Sequence, residues 1–416
     1  MSVTNLALEN FKSFDSLNVS LGSFSVLIGA NASGKSNFTQ VFKFLKDIQI
    51  HGLDNAVSLQ GGVEYLRNIN IGSSAPLSLT ITYNDKYTSP SVLTREREMG
   101  RVHVDETEYK FTIRFKKTRL SFEIVEDRLI QKGEYISRGP KRKDDIGSRA
   151  EIVHSVSDGK LRKDVKIFEG DSVRSGSVLP SMRFTQGGGL RSEQWDKKTL
   201  LLQTPLPHFP GIGIYDFDPK LPKKATPITG KVELEEDGAN LAIVIKRIIS
   251  IPSARRQLAD LFKDLLPFIS NVDVEKFSDR SLLFKLREMY FKDRALPASS
   301  LSDGTINVAA LVVALFFEHR PLTIIEEPER NMHPSLISKI SSIMKEASKT
   351  KQVVVTTQNA ELVKHAGLES LLFVYRDKEG FSRISRPAEK ETVRLFLQNE
   401  IGIEELYVQN LLGATS

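Results

Sequence analysis

The segment from Gly29 to Ser36 places two glycines, a lysine and a hydroxyl in the spacing Gly-x-x-x-x-Gly-Lys-Ser. Glycines allow the backbone to curl so that successive N–H groups point at phosphate oxygens. A lysine at this spacing reaches the terminal phosphates of a nucleotide, and the next hydroxyl is a ligand for Mg²⁺. The spacing therefore predicts a phosphate-binding loop. Its expected binding residues are Gly29, Asn31, Ala32, Ser33, Gly34, Lys35, Ser36 and Asn37, with Ser36 as the metal ligand.

Two adjacent carboxylates end the apolar run Leu322-Thr-Ile-Ile-Glu326-Glu327. This pattern is typical of the Walker B strand, which carries acidic side chains to a nucleotide-bound metal. We expect Glu326, at a position where Asp is usual, to hold Mg²⁺ through water. Glu327 is the candidate for orienting or polarising the water that attacks the terminal phosphate. An acidic surface turn is the alternative, but the phosphate-binding loop in the same chain favours the catalytic interpretation.

Two weaker signals accompany these motifs. Ser302-Asp-Gly304-Thr305 precedes an apolar run at 308–317, so it predicts a helix N-terminus that faces phosphate. Gln358 follows the apolar run 353–355 and two threonines, where a sensor of the terminal phosphate belongs. Taken alone, the first segment is also a common turn, and the second is equally consistent with a polar connection between a strand and a helix.

The elements around these motifs predict an α/β fold. An apolar strand at 24–28 leads into the glycine-rich loop, and apolar residues from Phe38 to Ile48 then follow one helical face. Residues 76–130 alternate like strands. From about 136 to 200 the pattern breaks down, and the segments 138–145 and 186–189 are loop-like. Helical signals return at 240–249 and 254–268. Residues 301–416 read as alternating helices and strands.

Composition excludes several kinds of site and locates the net charge. The chain has no cysteine, so disulfides, iron–sulfur clusters, thiolate zinc sites and thiol nucleophiles are excluded. The formal charge is +6, and residues 91–200 hold 24 Lys and Arg against 18 Asp and Glu. This stretch is a candidate for polyanion binding through Lys141, Arg142 and Lys143, and an ordinary solvated loop is the alternative. With no membrane span and no signal sequence in its pattern, we expect a soluble cytoplasmic protein.

Taken in order, these motifs resemble the ABC-type ATPase head, in the soluble branch that includes RecF, SMC and OLD-like proteins. The opening Leu8-Glu-Asn-Phe-Lys-Ser-Phe14 resembles the first strand and turn of that branch. Glu326-Glu-Pro-Glu-Arg-Asn-Met-His-Pro334 resembles the Walker B and D-loop stretch of OLD-like ATPases, and the segment 232–241 is also similar. The resemblance covers roughly residues 1–70 and 230–416.

This resemblance implies a P-loop NTPase with an ABC-type ATPase head, split by a long β-rich and helical insertion. It implies ATP and Mg²⁺ as ligands and self-association, as a head-to-tail homodimer or a higher homo-oligomer. Each ATP would lie between the phosphate-binding loop of one subunit and the ABC signature of the other, which includes Ser302 and Gly304. Gln60 would contact the metal as the Q-loop residue, and His333 would be a structural D-loop residue.

Two departures from the family pattern bear on function. The family usually has His where Gln358 stands, and an amide cannot carry the charge of imidazolium, so efficient hydrolysis is left open. The 58 residues after Gln358 leave no room for the Toprim nuclease of OLD-like proteins. We therefore expect a separate effector, such as a nuclease or toxin in phage defence. A RecF-like DNA repair or DNA-binding ATPase is the alternative.

The expected organisation follows from the same patterns. The N-terminal part of the head is expected at 1–75 and a β-rich, partly flexible, basic insertion at 76–215. A helical lobe is expected at 216–300, and the C-terminal part of the head at 301–416.

Overall fold

The computed structural model describes residues 2–95, 98–116, 121–137, 148–157, 160–169, 172–178, 199–203, 211–228, 231–291, 294–398, 401–409 and 411. The chain forms two compact units. The first contains Met1–Leu21, Gln40–Pro210 and Asp377–Arg383, and the second contains Gly22–Thr39, Gly211–Arg376 and Ile384–Ser416. In this described part, no helix combines the length and the apolar character needed to cross a membrane.

The strands are β1 Ser2–Phe11, β2 Phe14–Ser20, β3 Phe24–Ile28, β4 Leu77–Thr88, β5 Val92–Thr94, β6 Met99–Lys116, β7 Ser121–Ser137, β8 Ser148–Ser157, β9 Lys160–Glu169, β10 Ser172–Val178, β11 Ile212–Tyr215, β12 Thr226–Pro227, β13 Ile269–Ser278, β14 Ser281–Glu288, β15 Leu296–Pro297, β16 Leu322–Glu326, β17 Gln352–Thr357, β18 Leu371–Arg376 and β19 Ser382–Ser385. The α-helices are α1 Lys35–His51, α2 Leu53–Leu59, α3 Val63–Leu66, α4 Leu241–Ile249, α5 Pro252–Leu265, α6 Asp303–Phe316, α7 Pro334–Ala347, α8 Ala360–Ala366, α9 Glu391–Gln398 and α10 Ile403–Val408.

The second unit is built on a sheet with the strand order β11-β16-β17-β3-β18-β19. The pairs β11–β16, β16–β17, β17–β3 and β3–β18 are parallel, so the carboxyl ends of these five strands share one edge. Although β3 comes early in the chain, it lies between two strands of the last hundred residues. Strands from the N-terminal and the C-terminal part of the chain therefore share one sheet. Ligands of such sheets bind at the carboxyl edge.

Helix α6 forms the centre of the core in this unit. Every residue from Thr305 to Leu315 is buried, as its almost continuous apolar sequence predicts. Helices α4, α5 and α7 contribute further buried faces to the same hydrophobic cluster.

Residues 216–300 are not purely helical, which corrects the expected helical lobe. Besides α4 and α5, this region contains the antiparallel strands β12, β13, β14 and β15. In β14 the burial alternates along Ser281–Glu288, because one face packs on the core and the other meets solvent. The sequence signal was weak because the long antiparallel partner β13 is exposed over most of its second half.

The first unit contains a nine-stranded sheet with the order β2-β1-β4-β6-β5-β10-β9-β8-β7. An additional pairing of β6 with β7 closes β5 to β10 into a ring of six strands. One hydrophobic cluster of the ring is formed by the buried side chains Val92, Val102, Val104, Tyr135, Ala150, Ile152, Val165 and Ile167.

The strands β8, β9 and β10 lie in the stretch where the alternating sequence pattern breaks down. They form because each pairs with a neighbour over several residues. Strand β8, for instance, pairs with residues 128–135 of β7 and, from Arg149 to Ser157, with β9. Only a few inward positions are apolar, so the stability of these strands depends on pairing and packing rather than on a local pattern.

Several basic side chains of the ring strands form ion pairs with nearby carboxylates. Among the described residues, seven such ion pairs involve six basic side chains: Lys110–Glu126, Arg114–Glu123, Lys116–Glu123, Lys132–Glu106, Arg149–Asp105, Arg174–Glu98 and Arg174–Glu169. Their positive charges are therefore partly compensated within the unit. The candidates Lys141, Arg142 and Lys143, together with the loop-like segments 138–145 and 186–189, lie outside the described residues.

Candidate functional site

The phosphate-binding loop connects β3 to α1, as its sequence context predicts. Gly29 is required by close packing, because a Cβ there would lie 2.2 Å from the backbone oxygen of Val374. Ala32 and Gly34 have φ values of 61° and 117°, which curl the backbone. Asn31, Ala32 and Ser33 lie in this loop, and Lys35, Ser36 and Asn37 form the first turn of α1. The N–H groups of that turn point toward the loop and carry the positive end of the helix dipole.

Lys35 fills the loop with its own ammonium group. Its Nζ donates to the backbone oxygens of Gly29 at 2.7 Å and Ala30 at 2.9 Å. Burial lowers the pKa of Lys35, and the charges of Glu327 and Glu326 act in the opposite direction. The ammonium is thus held by neutral carbonyls, which a phosphate can displace.

Ser36 and Glu326, the two residues expected to hold the metal, are in contact. The Ser36 hydroxyl donates to Oε2 of Glu326 at 3.2 Å. Burial raises the pKa of Glu326, and the neighbouring charge of Asp216 raises it further. A hydroxyl beside a carboxylate is an oxygen donor set that suits Mg²⁺, and a cation there would relieve the concentration of negative charge. The residues present therefore fit the metal that the motif implies.

Glu327 and Gln358 lie together at the ends of adjacent strands. Nε2 of Gln358 donates to Oε1 of Glu327 at 3.1 Å. The backbone of Glu327 has a φ of 44°, an uncommon conformation for a residue with a side chain, and its N–H bonds to the oxygen of Thr356 at 2.8 Å. Such backbone strain is often found at functional sites.

Arg330 and Asp216 were not singled out from the sequence, and the structure adds both to this cluster. Nε and Nη2 of Arg330 lie 3.4 and 3.2 Å from Oε2 of Glu327, and Nη1 lies 3.0 Å from Oδ1 of Asp216. The sequence does contain a signal for Asp216, because it is an acidic residue directly after the apolar run of β11.

Glu329 is a buried carboxyl behind the catalytic candidates. It is 7% exposed, and the hydroxyl of Thr357 donates to its Oε1. Burial raises the pKa of Glu329 to about 7.

The segment Ser302–Thr305 begins α6 as predicted. The Ser302 hydroxyl caps the helix by accepting from the N–H of Thr305 at 3.1 Å. A Cβ on Gly304 would lie 2.6 Å from the backbone oxygen of Asn331, so only glycine fits. Asn307 further binds the D-loop, because its Nδ2 donates to the backbone oxygen of Arg330 at 2.8 Å.

Four other residues complete the description. Gln60 is buried in the first unit, and its contact with a metal stays a prediction. His333 caps α7 by accepting from the N–H of Ser335, which is consistent with a structural role. Two residues that the sequence did not single out contact the site: Arg376 donates to the Ala32 oxygen at 3.0 Å, and Tyr407 donates to the Gln358 oxygen at 3.3 Å.

Comparison with protein families gives two matches to separate parts of the chain. Residues 1–164 match a family described as "AAA ATPase domain", and residues 204–364 match one described as "AAA domain, putative AbiEii toxin, Type IV TA system". A comparison with curated proteins gives no match.

Comparison with solved structures gives similarity along nearly the whole chain. An Smc head bound to the C-winged helix domain of ScpA is 15% identical with a TM-score of 0.50, covering 92% of this chain and 97% of that one. The SMC head domain from Thermotoga maritima is 14% identical with a TM-score of 0.41, covering 93% and 99%. An Smc head from Pyrococcus furiosus, bound to the C-terminal domain of ScpA, is 15% identical with a TM-score of 0.46, covering 96% and 99%. The similarity to the first of these structures concerns the fold alone. It confirms the predicted fold class, an α/β P-loop NTPase with an ABC-type ATPase head.

Proposed function

We propose that this chain, an ABC-type P-loop NTPase by its fold, binds ATP and hydrolyses it to ADP and phosphate. The observation that carries the proposal is the cluster at the carboxyl edge of the parallel sheet. There, Ser36 contacts Glu326 at the metal position, and Gln358 contacts Glu327 at the water position. The family match over residues 1–164 to an ATPase domain supports the same activity.

The binding step uses the loop and the first turn of α1. Backbone N–H groups from Gly29 to Ser36 would cradle the phosphates, and Lys35 would exchange its bonds to Gly29 and Ala30 for the β- and γ-phosphate oxygens. Ser36 and Glu326 would hold Mg²⁺, which supplies charge neutralisation of the phosphates when bound.

The hydrolytic step depends on Glu327 and Gln358. Nε2 of Gln358 donates to Oε1 of Glu327. The side-chain carbonyl oxygen of Gln358 and Oε1 of Glu327 would then accept the two hydrogens of one water. The water oxygen attacks the γ-phosphorus, the bond to the β,γ-bridging oxygen breaks, and Glu327 holds the released proton.

A second copy of the chain would complete the site. Ser302 is exposed at the N-terminus of the long helix α6, where a γ-phosphate bound to another copy would meet a positive helix end. The proposal is a head-to-tail homodimer that ATP closes and hydrolysis opens.

For the biological role, we propose control of a separate effector such as a nuclease or toxin, in phage defence. The match of residues 204–364 to a family described with the AbiEii toxin supports this direction. The RecF-like DNA-binding alternative rests on the basic stretch 91–200, which has 24 Lys and Arg against 18 Asp and Glu. We favour the effector because the family match supports it. Co-purification of the protein with the product of the adjacent gene tests it, and salt-dependent DNA binding without an effector would favour the alternative.

The catalytic proposal is tested by Glu327→Gln. We expect turnover to fall roughly 10²- to 10⁴-fold, because the proton acceptor is lost while ATP binding is retained. The variant should accumulate as an ATP-bound dimer, measured by light scattering with ATP and with ADP.

The matched control for this test is Glu346→Gln, because Glu346 is an exposed side chain on α7. The control should turn over and dissociate like the wild type. Unchanged turnover in Glu327→Gln would show that another group accepts the proton.

A further inference from the structure

We propose that Arg330 is a positioning residue that fixes the orientation of the Glu327 carboxylate for hydrolysis. This inference rests on the proposed function. The two oxygens of Glu327 have different neighbours: Gln358 bonds to Oε1, and the Arg330 guanidinium lies against Oε2. Arg330 therefore determines which oxygen remains available to the water.

The contact has the features of a charge-assisted clamp. Nε and Nη2 approach the same carboxylate oxygen, and the planar guanidinium allows the third nitrogen, Nη1, to bind elsewhere. The Glu327 side chain is 26% exposed, so protein packing alone does not determine its rotamer. The contact with Arg330 therefore fixes the side chain of Glu327, a residue whose backbone is in the left-handed region.

Asp216 anchors the clamp from a neighbouring strand. It follows β11, which is parallel to β16, so the topology places it beside the acidic end of β16. Its Oδ1 accepts from Nη1 of Arg330 at 3.0 Å, and its own N–H bonds to the oxygen of Glu236 at 2.9 Å. Arg330 thus lies between the Glu327 carboxylate, which accepts the proton from water, and the Asp216 carboxylate, which does not.

The backbone of Arg330 is fixed from two sides. Its N–H donates to the Glu327 oxygen at 3.0 Å, and its oxygen accepts from Nδ2 of Asn307 on α6 at 2.8 Å. Because α6 is the helix that Ser302 caps, the clamp is connected to the segment where a second copy would bind. These bonds fix the Arg330 backbone, and Asp216 holds its guanidinium, before any nucleotide binds.

The test measures turnover and nucleotide affinity separately in Arg330→Gln, Arg330→Lys and Asp216→Asn. We expect kcat to fall at least about tenfold in Arg330→Gln, while the Kd for ATP stays within about twofold of wild type. Arg330→Lys keeps the charge but loses the planar guanidinium, and Asp216→Asn weakens the anchor while also removing a charge near Glu326. Both should give intermediate losses of kcat. Stopped-flow measurement of the chemical step confirms that hydrolysis is affected rather than product release.

The matched control is Arg320→Gln. Arg320 pairs with Glu233 in the same unit, but it precedes β16 at the opposite end from Glu327. This variant should keep wild-type kcat and Kd, since it removes an equivalent ion pair outside the site.

Three outcomes separate the possible failures. Wild-type kcat in every test variant that folds would overturn the positioning role. The result decides the question even if one of the three variants folds poorly and is excluded. A parallel loss of ATP affinity and melting temperature would also overturn it, because it would show a structural role. If the wild type itself hydrolyses no more ATP than Lys35→Ala, the proposed function is wrong, and the role of Arg330 is rejected with it.

Discussion

The side-chain amide of Gln358 lies 3.1 Å from the carboxylate of Glu327, joining the ends of the parallel strands β17 and β16. A histidine at the position of Gln358 would change its charge near neutral pH, whereas an amide stays neutral. The contact is therefore a fixed dipole that orients the carboxylate and leaves one carbonyl oxygen to accept from water. Its contribution can be measured by removing each partner in turn.

Gln358→Ala should lower kcat roughly tenfold, because one polar contact to the catalytic carboxylate is worth about 1.4 kcal/mol at the transition state. In the double variant with Glu327→Gln, the additional loss should be much smaller, since the two residues act as one unit. Steady-state kinetics of the four proteins gives the coupling.

The control for this cycle is Gln409→Ala, which removes a similar glutamine–glutamate contact to Glu405 on the surface of α10. It should leave kcat unchanged. Additive losses in the Gln358 cycle would mean that the amide acts on the phosphate independently of Glu327.

Lys35→Ala should weaken ATP binding by roughly 10- to 100-fold or more, because charge-assisted bonds to phosphate are each worth about 1.5–3 kcal/mol. The variant should still fold, since it loses only two hydrogen bonds to the Gly29 and Ala30 carbonyls within the loop. Equilibrium binding of a fluorescent ATP analogue measures the effect. Lys339→Ala is the control, because Lys339 bonds only to a backbone oxygen on the surface of another helix. Equal affinity in the two variants would remove the phosphate role from Lys35.

The parts of the site that the sequence predicts are those defined by local spacing. The loop before α1 and the acidic end of β16 each have all their essential residues within ten positions. Residue type and order therefore predict the chemistry before the fold is known. The parallel strands could also be predicted, because buried strands in α/β sheets are short, continuous apolar runs.

Other parts depend on contacts between distant residues. Arg330 and Asp216 are 114 positions apart, and only the parallel pairing of β11 with β16 places them together. The ring strands β8 to β10 contain few inward apolar residues, such as Ile152 and Val165, and are stable because each has a paired neighbour. No local pattern carries information of this kind.

Ser302 allows helix capping to be separated from phosphate binding. Ser302→Ala should destabilise the protein by about 1 kcal/mol, because the N–H of Thr305 loses its acceptor. Asp and Asn cap helices as well as Ser, so Ser302→Asp and Ser302→Asn should restore the stability. Only the aspartate places a negative charge where the γ-phosphate of another copy would bind. Ser302→Asp should therefore lose ATP-dependent dimerisation while Ser302→Asn keeps it.

Unfolding in urea measures the stability of the three variants, and light scattering with ATP measures the dimer. Dimerisation of Ser302→Asp equal to that of Ser302→Asn would show that no phosphate approaches this helix end.

Glu329 should make the stability of the nucleotide-free protein depend on pH. Burial raises its folded-state pKa to about 7 from an ordinary value of 4.5, while the Thr357 hydroxyl opposes the shift. Between these values the folded protein binds more protons than the unfolded chain, so this contribution is complete below pH 4.5. It is lost as the pH rises through 7, by about 1–3 kcal/mol.

Glu329→Gln removes the titration but keeps an oxygen that accepts from Thr357. The free energy of unfolding of the wild type should therefore fall, relative to this variant, between pH 5 and pH 8. Urea unfolding at several pH values without nucleotide measures the difference, with Glu346→Gln as the control at an exposed carboxylate. The control and the wild type should change in parallel. A constant difference between wild type and Glu329→Gln across this range would mean that Glu329 titrates at its ordinary value despite its burial, because water or a charged neighbour reaches it.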